Sequence, residues 1–395
     1  MKKFTTFLCT ALAVGTVSAQ TLVQAYKNRA DLVSQANITS NLQEFSNLGI
    51  KTTGSVNNAN TLAWLKNKYT SYGYSASQIV EDPFTFGSTS SKNLVITKTG
   101  TLYPDKYVII CGHYDTITGP GTNDNGSGTS VILEVARILK DVPTEYSIKF
   151  IHFSGEEQGL YGSSHYANNV AYQSGVKKLD IKLVFNLDQV GGKLGNTNTK
   201  IICERDTGGQ SGNNASSNTI TQQLATCTAL YSPLQTSISN AYSSDYMPFE
   251  QKGYVITGFY EYTRSYTEHT VNDTFANVDP VYVFKVGKAA VGAMQHFATA
   301  STNVTAISAS KETSATTPAE SVKVYPNPAK DILTIELPDT NIKNFTVEIT
   351  NLKGLSVLKE ENQARINVSQ LENGIYLCTV KTESASITRK IIIEK

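Results

Sequence analysis

The sequence predicts an α/β unit, a sheet with helices on both faces, followed by a small all-β module. Two observations predict the first part. Short β-branched or apolar runs alternate with helical stretches between residues 24 and 298, and most of these runs end in Gly, polar or acidic residues. One observation predicts the second. After a small-residue polar segment over 299–319, the texture changes to short alternating strands separated by Pro, Asn and Gly turns.

The elements follow in order. Lys2 and Lys3 lead into an apolar run from Phe4 to Val17 that closes on Val17-Ser18-Ala19. A charged start, a short apolar middle and small residues at the cut predict a signal peptide over 1–19. The run is too short to cross a bilayer core of ~30 Å. No later segment reaches ~18 consecutive apolar residues, so no integral membrane segment is expected after cleavage. Apolar positions over 24–48 are spaced for a helix, and 58–72 (NANTLAWLKNKYTSY) is an amphipathic one with Trp64 and Leu65 on its apolar side. NLVITKTG, YVIICGH, YSIKFIHFSG, IKLVFNLD and TKIICER read as strands, with helices at 127–140 and 279–298. These bound a first domain over 20–298 and a linker over 299–319. The strands SVKVYPNPAKDILTIEL, FTVEITNLKG, NGIYLCTVKT and ITRKIIIEK then make a β-sandwich over 320–395.

Composition sets limits on function. Of 395 residues, 40% are hydrophobic, enough for a sizeable core and too many for a disordered chain. Lys and Arg total 34 against 33 Asp and Glu, so no basic field marks a nucleic-acid partner. The signal peptide would remove Cys9. Cys111 and Cys378 sit in apolar runs and read as core thiols, while for Cys203 and Cys227 both a disulfide and two free thiols stay open.

The unusual residues fall at strand ends, where sheets of this class bind ligands. YVIICGHYD puts His113 and Asp115 after an apolar strand, and PGTNDNGSG places Asp124 in a Gly- and Asn-rich loop before a helix. FIHFSGEEQG ends on Glu156 and Glu157, LVFNLDQVGG on Asp188, and YTEHTVNDT supplies His269. Each alone is a solvated turn, a cap or a surface residue. Together they are two imidazoles and three carboxylates of the kind zinc accepts, with one Glu left over as a proton carrier. A pair of metals needs terminal ligands for each and a carboxylate between them. Asp115 is placed to orient the His113 ring from behind.

GHYDT, NDNGSG, SGEEQGLYGS, NLDQVG and HTVNDT, in this order, resemble the secreted co-catalytic dizinc aminopeptidases of the leucyl aminopeptidase and aminopeptidase S type, over about 54–297. The resemblance implies a mixed, mostly parallel central sheet and two zinc ions per chain. In it Asp124 bridges the metals, His113 and Asp188 complete one, and Glu157 and His269 complete the other. Glu156 takes a proton from the attacking water and passes it to the leaving amine. One metal binds the free α-amine, so peptide or protein N-termini are the implied substrates. Two positions depart from the pattern: Tyr246 stands where many relatives carry His after Ser244-Asp245, and Glu268 stands where some carry Tyr. VYPNPAKD, NGIY and the basic-then-apolar finish resemble the C-terminal sorting domain of the type IX secretion system. That resemblance implies that this machinery is a partner and that the protein is extracellular or attached to the cell surface.

Tyr242, Tyr246, Met247, Phe249 and Tyr260 cluster before His269, with Phe259 and Tyr262 among them. They are candidates for a pocket that takes an apolar or aromatic first residue, although aromatics on strands are as often core. His152, His165 and His296 read as structural. The alternatives on the same fold are a glutaminyl cyclase, with one zinc and N-terminal Gln cyclised, a carboxypeptidase, and a non-catalytic binding domain.

Overall fold

A computed structural model describes residues 20–303, 322–337, 344–351, 356–382 and 386–395. The signal-peptide segment 1–19 and most of the expected linker lie outside the described residues. The chain divides into two compact units, Met1–Glu312 and Thr313–Lys395.

In the first unit the helices are α1 (Gln24–Ala30), α2 (Gln35–Asn47), α3 (Val56–Ser71), α4 (Gly126–Leu139), α5 (Tyr161–His165), α6 (Ser211–Tyr231), α7 (Met247–Glu250) and α8 (Pro280–Phe297). The strands are β1 (Ile79–Phe86), β2 (Thr89–Lys98), β3 (Tyr103–His113), β4 (Tyr146–Phe153), β5 (Tyr172–Gln173), β6 (Val176–Lys177), β7 (Asp180–Leu187), β8 (Lys200–Arg205), β9 (Gln235–Asn240) and β10 (Ile256–Glu261). Except for the β5–β6 hairpin they form one eight-stranded sheet in the order β1-β2-β4-β3-β7-β10-β8-β9. Pairing is parallel through β4, β3, β7 and β10 and again between β8 and β9. It is antiparallel at β1–β2, β2–β4 and β10–β8. The sheet is therefore mixed, with its parallel block in the centre.

Alternation along the central strands divides the core in two. Leu94, Ile96, Val108, Ile110, Ile148, Phe150, Leu183 and Phe185 point to one face, where α1, α2, α3, α4, α6 and α8 cover them. Val95, Ile109, Cys111, Ile151, Phe153 and Val184 point to the other, under Tyr166, Phe249 and Tyr254. Helices do cover both faces, but unequally: among the described residues, the second face has only the short α5 and α7 and the turn at 166–171. With both faces covered, β3 and β7 run as continuous apolar stretches, the sequence mark of buried parallel strands.

Capping explains where several helices begin. Ser34 and Ser55 accept from Asn37 and Asn58 N–H, and Asp279 accepts from Val281 and Tyr282 N–H ahead of Pro280. Leu65 is fully buried as expected, whereas Trp64 is half-buried and donates its indole N–H to Glu44. Residues 24–45 belong to this core through Tyr26, Ile38, Leu42 and Phe45. Residues 299–303, assigned to the linker by composition, are instead pinned to the first unit. Tyr26 donates to the Ala300 carbonyl, Arg29 donates to Ser301 O, and Ala300 pairs with Thr144. Cys203 and Cys227 are free, buried thiols.

The second unit contains β11 (Lys323–Tyr325), β12 (Ile332–Glu336), β13 (Phe345–Asn351), β14 (Ser356–Glu361), β15 (Arg365–Asn367), β16 (Gly374–Thr382) and β17 (Ser386–Ile393). Two antiparallel sheets, β11-β12-β15 and β14-β13-β16-β17, bury Leu333, Ile335, Val347, Ile349, Ile366, Cys378, Val380 and Ile391 in one core. This is the small sandwich that the alternating pattern predicts.

His152 is a buried group whose protonation bears on stability. On β4 its Nε2 lies 2.8 Å from the Tyr69 hydroxyl, and burial pushes its pKa from the usual 6.5 down to about 3. The folded state keeps it neutral while the unfolded chain takes up a proton below about 6.5. Its contribution is complete above that pH and is lost as pH falls toward 3, at up to ~1.4 kcal/mol per pH unit. In denaturant titrations between pH 6.5 and 4, His152→Gln should flatten the fall in stability. An unchanged slope would show that His152 does not titrate this way.

Candidate metal centre

Four adjacent strands of the parallel block, β4-β3-β7-β10, bring their carboxyl ends to one rim of the sheet. β3 ends on His113, β4 leads into Glu156 and Glu157, β7 leads into Asp188, and the loop after β10 carries His269. Asp124 comes from the loop between β3 and α4.

Backbone contacts shape that loop. Gly121 adopts φ +62°, and a Cβ there would stand 2.2 Å from Thr116 Cγ2, so only glycine fits. Asn125 caps α4 by accepting from Gly128 N–H and donates to Leu187 O, which ties the loop to the end of β7. Asp273 accepts from the N–H groups of Asn123 and Asp124 at 2.6 and 2.9 Å. Lys51, wholly buried over the Phe45 ring, donates from Nζ to Gly49 O and Pro120 O. The segment before α3 is thus part of the support of the loop.

The five expected ligands come together in two groups that share Asp124. In one, His113 Nε2 lies 3.1 Å from Asp124 Oδ1 and 3.4 Å from Asp188 Oδ1. In the other, His269 Nε2 lies 3.2 Å from Asp124 Oδ2 and 2.8 Å from Glu157 Oε2. Two atoms bound tetrahedrally to one zinc at ~2.0–2.2 Å stand roughly 3.3–3.6 Å apart, so the first group has close to that spacing and the second is slightly tighter. The hydrogen bonds around them leave the right atoms free. His113 turns Nδ1 to the Asp115 carbonyl, and Asp188 Oδ2 accepts from Ser244. The atoms that remain, His113 Nε2 and Asp188 Oδ1, are buried and have no hydrogen-bond partner. Buried polar atoms are seldom left so, and a cation between them would satisfy both.

The local charge balance points the same way. Burial raises the pKa of Glu156, and Asp188, Asp245 and Asp124 add to the rise against the lowering by His113. Burial and Asp124 likewise raise Glu157. Asp124 itself is held low, since His113 and His269 outweigh its burial. Hydrogen bonding to Asp124 lifts the His269 pKa, and Glu157 lifts it further. Two imidazoles cannot balance this many carboxylates, and divalent cations would.

Asp115 departs from its expected role. Its backbone carbonyl, not its carboxylate, meets His113 Nδ1; the nearer carboxylate oxygen is 3.8 Å away. The carboxylate instead accepts from Glu156 N–H and Glu157 N–H, each at 3.3 Å, and from Thr53 Oγ1. It positions the turn of the Glu pair.

Two of the five pocket candidates, Tyr246 and Phe249, are corrected. Phe249 is fully buried among Phe153, Tyr166 and Tyr254, and Met247 packs against the same cluster. Tyr246 is fully buried; its hydroxyl donates to Glu204 Oε2 and accepts from Tyr242 N–H, both at 3.0 Å. The turn into α7 carries Tyr246 and Phe249 inward and leaves Met247 half-buried, a direction that residue type does not encode. Tyr242 stays exposed and meets Tyr260 edge to face at 5.3 Å. Sequence reasoning assigned no role to Thr53, Gln189, Ser244, Asp245 and Asp273, polar residues that act through hydrogen bonds or lie behind the ligands. Only adjacency in NLDQ, SSDY and VNDT could have suggested four of them. Asp245 is fully buried.

The chain is similar to known proteins. Residues 93–294 match Peptidase family M28, and residues 323–394 match the Secretion system C-terminal sorting domain. Aminopeptidase YwaD of Bacillus subtilis is 36% identical over 170 residues, 42% of this chain and 35% of that protein. An aminopeptidase of Pseudomonas aeruginosa is 37% identical over 98 residues, 25% of this chain and 18% of that one. This chain thus spans about a third or less of these relatives. The Legionella pneumophila LapA aminopeptidase structure has a TM-score of 0.61 at 20% identity, covering 75% of this chain and 80% of that one. The Porphyromonas gingivalis glutaminyl cyclase structure has a TM-score of 0.55 at 18% identity, covering 67% of this chain and 99% of that one. Both structures share the fold. With a match that spans more than half of its residues, over the strands and loops that build this centre, the chain belongs to peptidase family M28.

Proposed function

We propose that the protein is an exported, zinc-dependent aminopeptidase that hydrolyses the N-terminal peptide bond of peptides. The observation that carries this reading is the sharing of Asp124, one oxygen toward each of two three-residue groups. A single-zinc centre, as in the cyclase reading, leaves one group without a purpose. Family membership and the aminopeptidase relatives support hydrolysis, and the sorting-domain match supports export.

Two zinc ions, held by His113, Asp124 and Asp188 and by Asp124, Glu157 and His269, would supply Lewis acidity for the scissile carbonyl and the attacking water. Glu156 stands beside the first group, Oε2 4.0 Å from His113 Nε2, and its burial raises its proton affinity. It takes the proton from water and gives it to the leaving amine. Asp115 holds Glu156 in reach through its backbone N–H. Tyr242 and Tyr260 form a wall for an apolar or aromatic first side chain.

Glu156→Gln keeps shape and loses the base. It should lower kcat about 10²–10⁴-fold with zinc content unchanged, and near wild-type turnover would remove Glu156 from this role. Purified chain should contain two zincs, lose activity to chelator and regain it with zinc. It should cleave Leu-anilide and reject N-acetylated peptides. One zinc per chain, with ammonia released from Gln-peptides, would favour the cyclase; cleavage of blocked peptides from their carboxyl end would favour a carboxypeptidase.

A further inference from the structure

Asp124 is central to the centre, and its Oδ2 accepts one further contact, from Gln189 Nε2 at 3.1 Å. Gln189 follows Asp188, is 8% exposed, and has φ +49°, a left-handed conformation uncommon for a residue with a side chain. Its carbonyl accepts from Glu261 N–H, which fixes the turn in this conformation. The amide could face Asp124 either way round, with nitrogen or with oxygen, and the oxygen would repel the carboxylate. The carboxylate decides between them: it can only accept, so the NH₂ end faces Asp124 and the amide oxygen is left to accept from the Tyr260 hydroxyl at 3.2 Å.

We infer that Gln189 is a positioning residue for the bridging carboxylate, and that Tyr260 braces the Gln189 amide against it by donating to the amide oxygen. This rests on the two-metal reading above. Asp124 Oδ2 is the oxygen that faces His269, so the amide holds the carboxylate plane where both oxygens serve a group. A carboxylate free to rotate would favour one group over the other. Tyr260 thus has two parts: its ring belongs to the aromatic wall and its hydroxyl to the support of Asp124.

The test is zinc binding by the full chain against a competing chelator, read as bound zinc and not turnover. It compares wild type, Gln189→Leu, Tyr260→Phe and the double variant, with thermal melting of each in excess chelator. Gln189→Leu should weaken zinc binding about 10–100-fold, the usual effect of losing a group that orients a ligand. Tyr260→Phe should weaken it less, the double variant should be no weaker than Gln189→Leu, and melting in chelator should barely change. Gln189→Met, closer in length, replaces the Leu variant if that one fails to fold, with the same expectation. Two zincs bound by Gln189→Leu as tightly as by wild type would overturn the inference alone, and so would losses from the two single variants that add in full. A wild-type chain that binds no zinc would overturn the proposed function and this inference together.

Discussion

Asp115, Asp124, Glu156, Glu157, Asp188 and Asp245 gather their carboxylates around His113 and His269 at one rim of the sheet, buried or half-buried. Negative charge drawn out of water must be met by donors or by cations. The protein meets part of it with its own groups. Thr53 and two backbone N–H groups serve Asp115, Ser244 serves Asp188, and Gln189 serves Asp124. What these donors leave over is concentrated at the atoms that face one another across the two groups. Much of the architecture around the rim is there to keep these like charges close.

The central parallel block makes this possible. Parallel neighbours end on the same side, so β4, β3, β7 and β10 deliver their last residues to one place without any long loop. The positions between the ligands are supports. Asp273 holds the Asp124 backbone, Asn125 ties α4 to β7, and Lys51 and Thr53 reach in from the segment before α3. A ligand placed by a strand end and braced from another element has little room to drift.

Much of this was legible in the sequence because it depends on pattern. Continuous apolar runs marked β3, β4 and β7, and polar residues after each run marked the rim. Other parts were not legible. α6 reads as SGNNASSNTITQQLATCTALY, and its buried apolar side chains are few, among them Leu224, Cys227 and Tyr231, so hydrophobic spacing gave little sign of a helix. β9 is a half-exposed edge strand of polar residues. Within the centre, the ligands could be found because His, Asp and Glu after strands are unusual, whereas Ser244 and Gln189 are ordinary residues whose role lies in one contact. Tyr246 and Phe249 misled for the opposite reason: an aromatic side chain suits a pocket and a core equally, and only the turn into α7 separates the two.

The thiols carry a different consequence. Cys111, Cys203, Cys227 and Cys378 are all free and buried, and burial pushes each thiol up, Cys227 to about 12 and Cys378 to about 11. A thiol that hardly ionises and cannot be reached neither attacks a disulfide nor meets an oxidant. Neither unit, among its described residues, needs a covalent cross-link to hold its core. Once folded, a chain built this way keeps the same covalent structure in reducing and in oxidising surroundings.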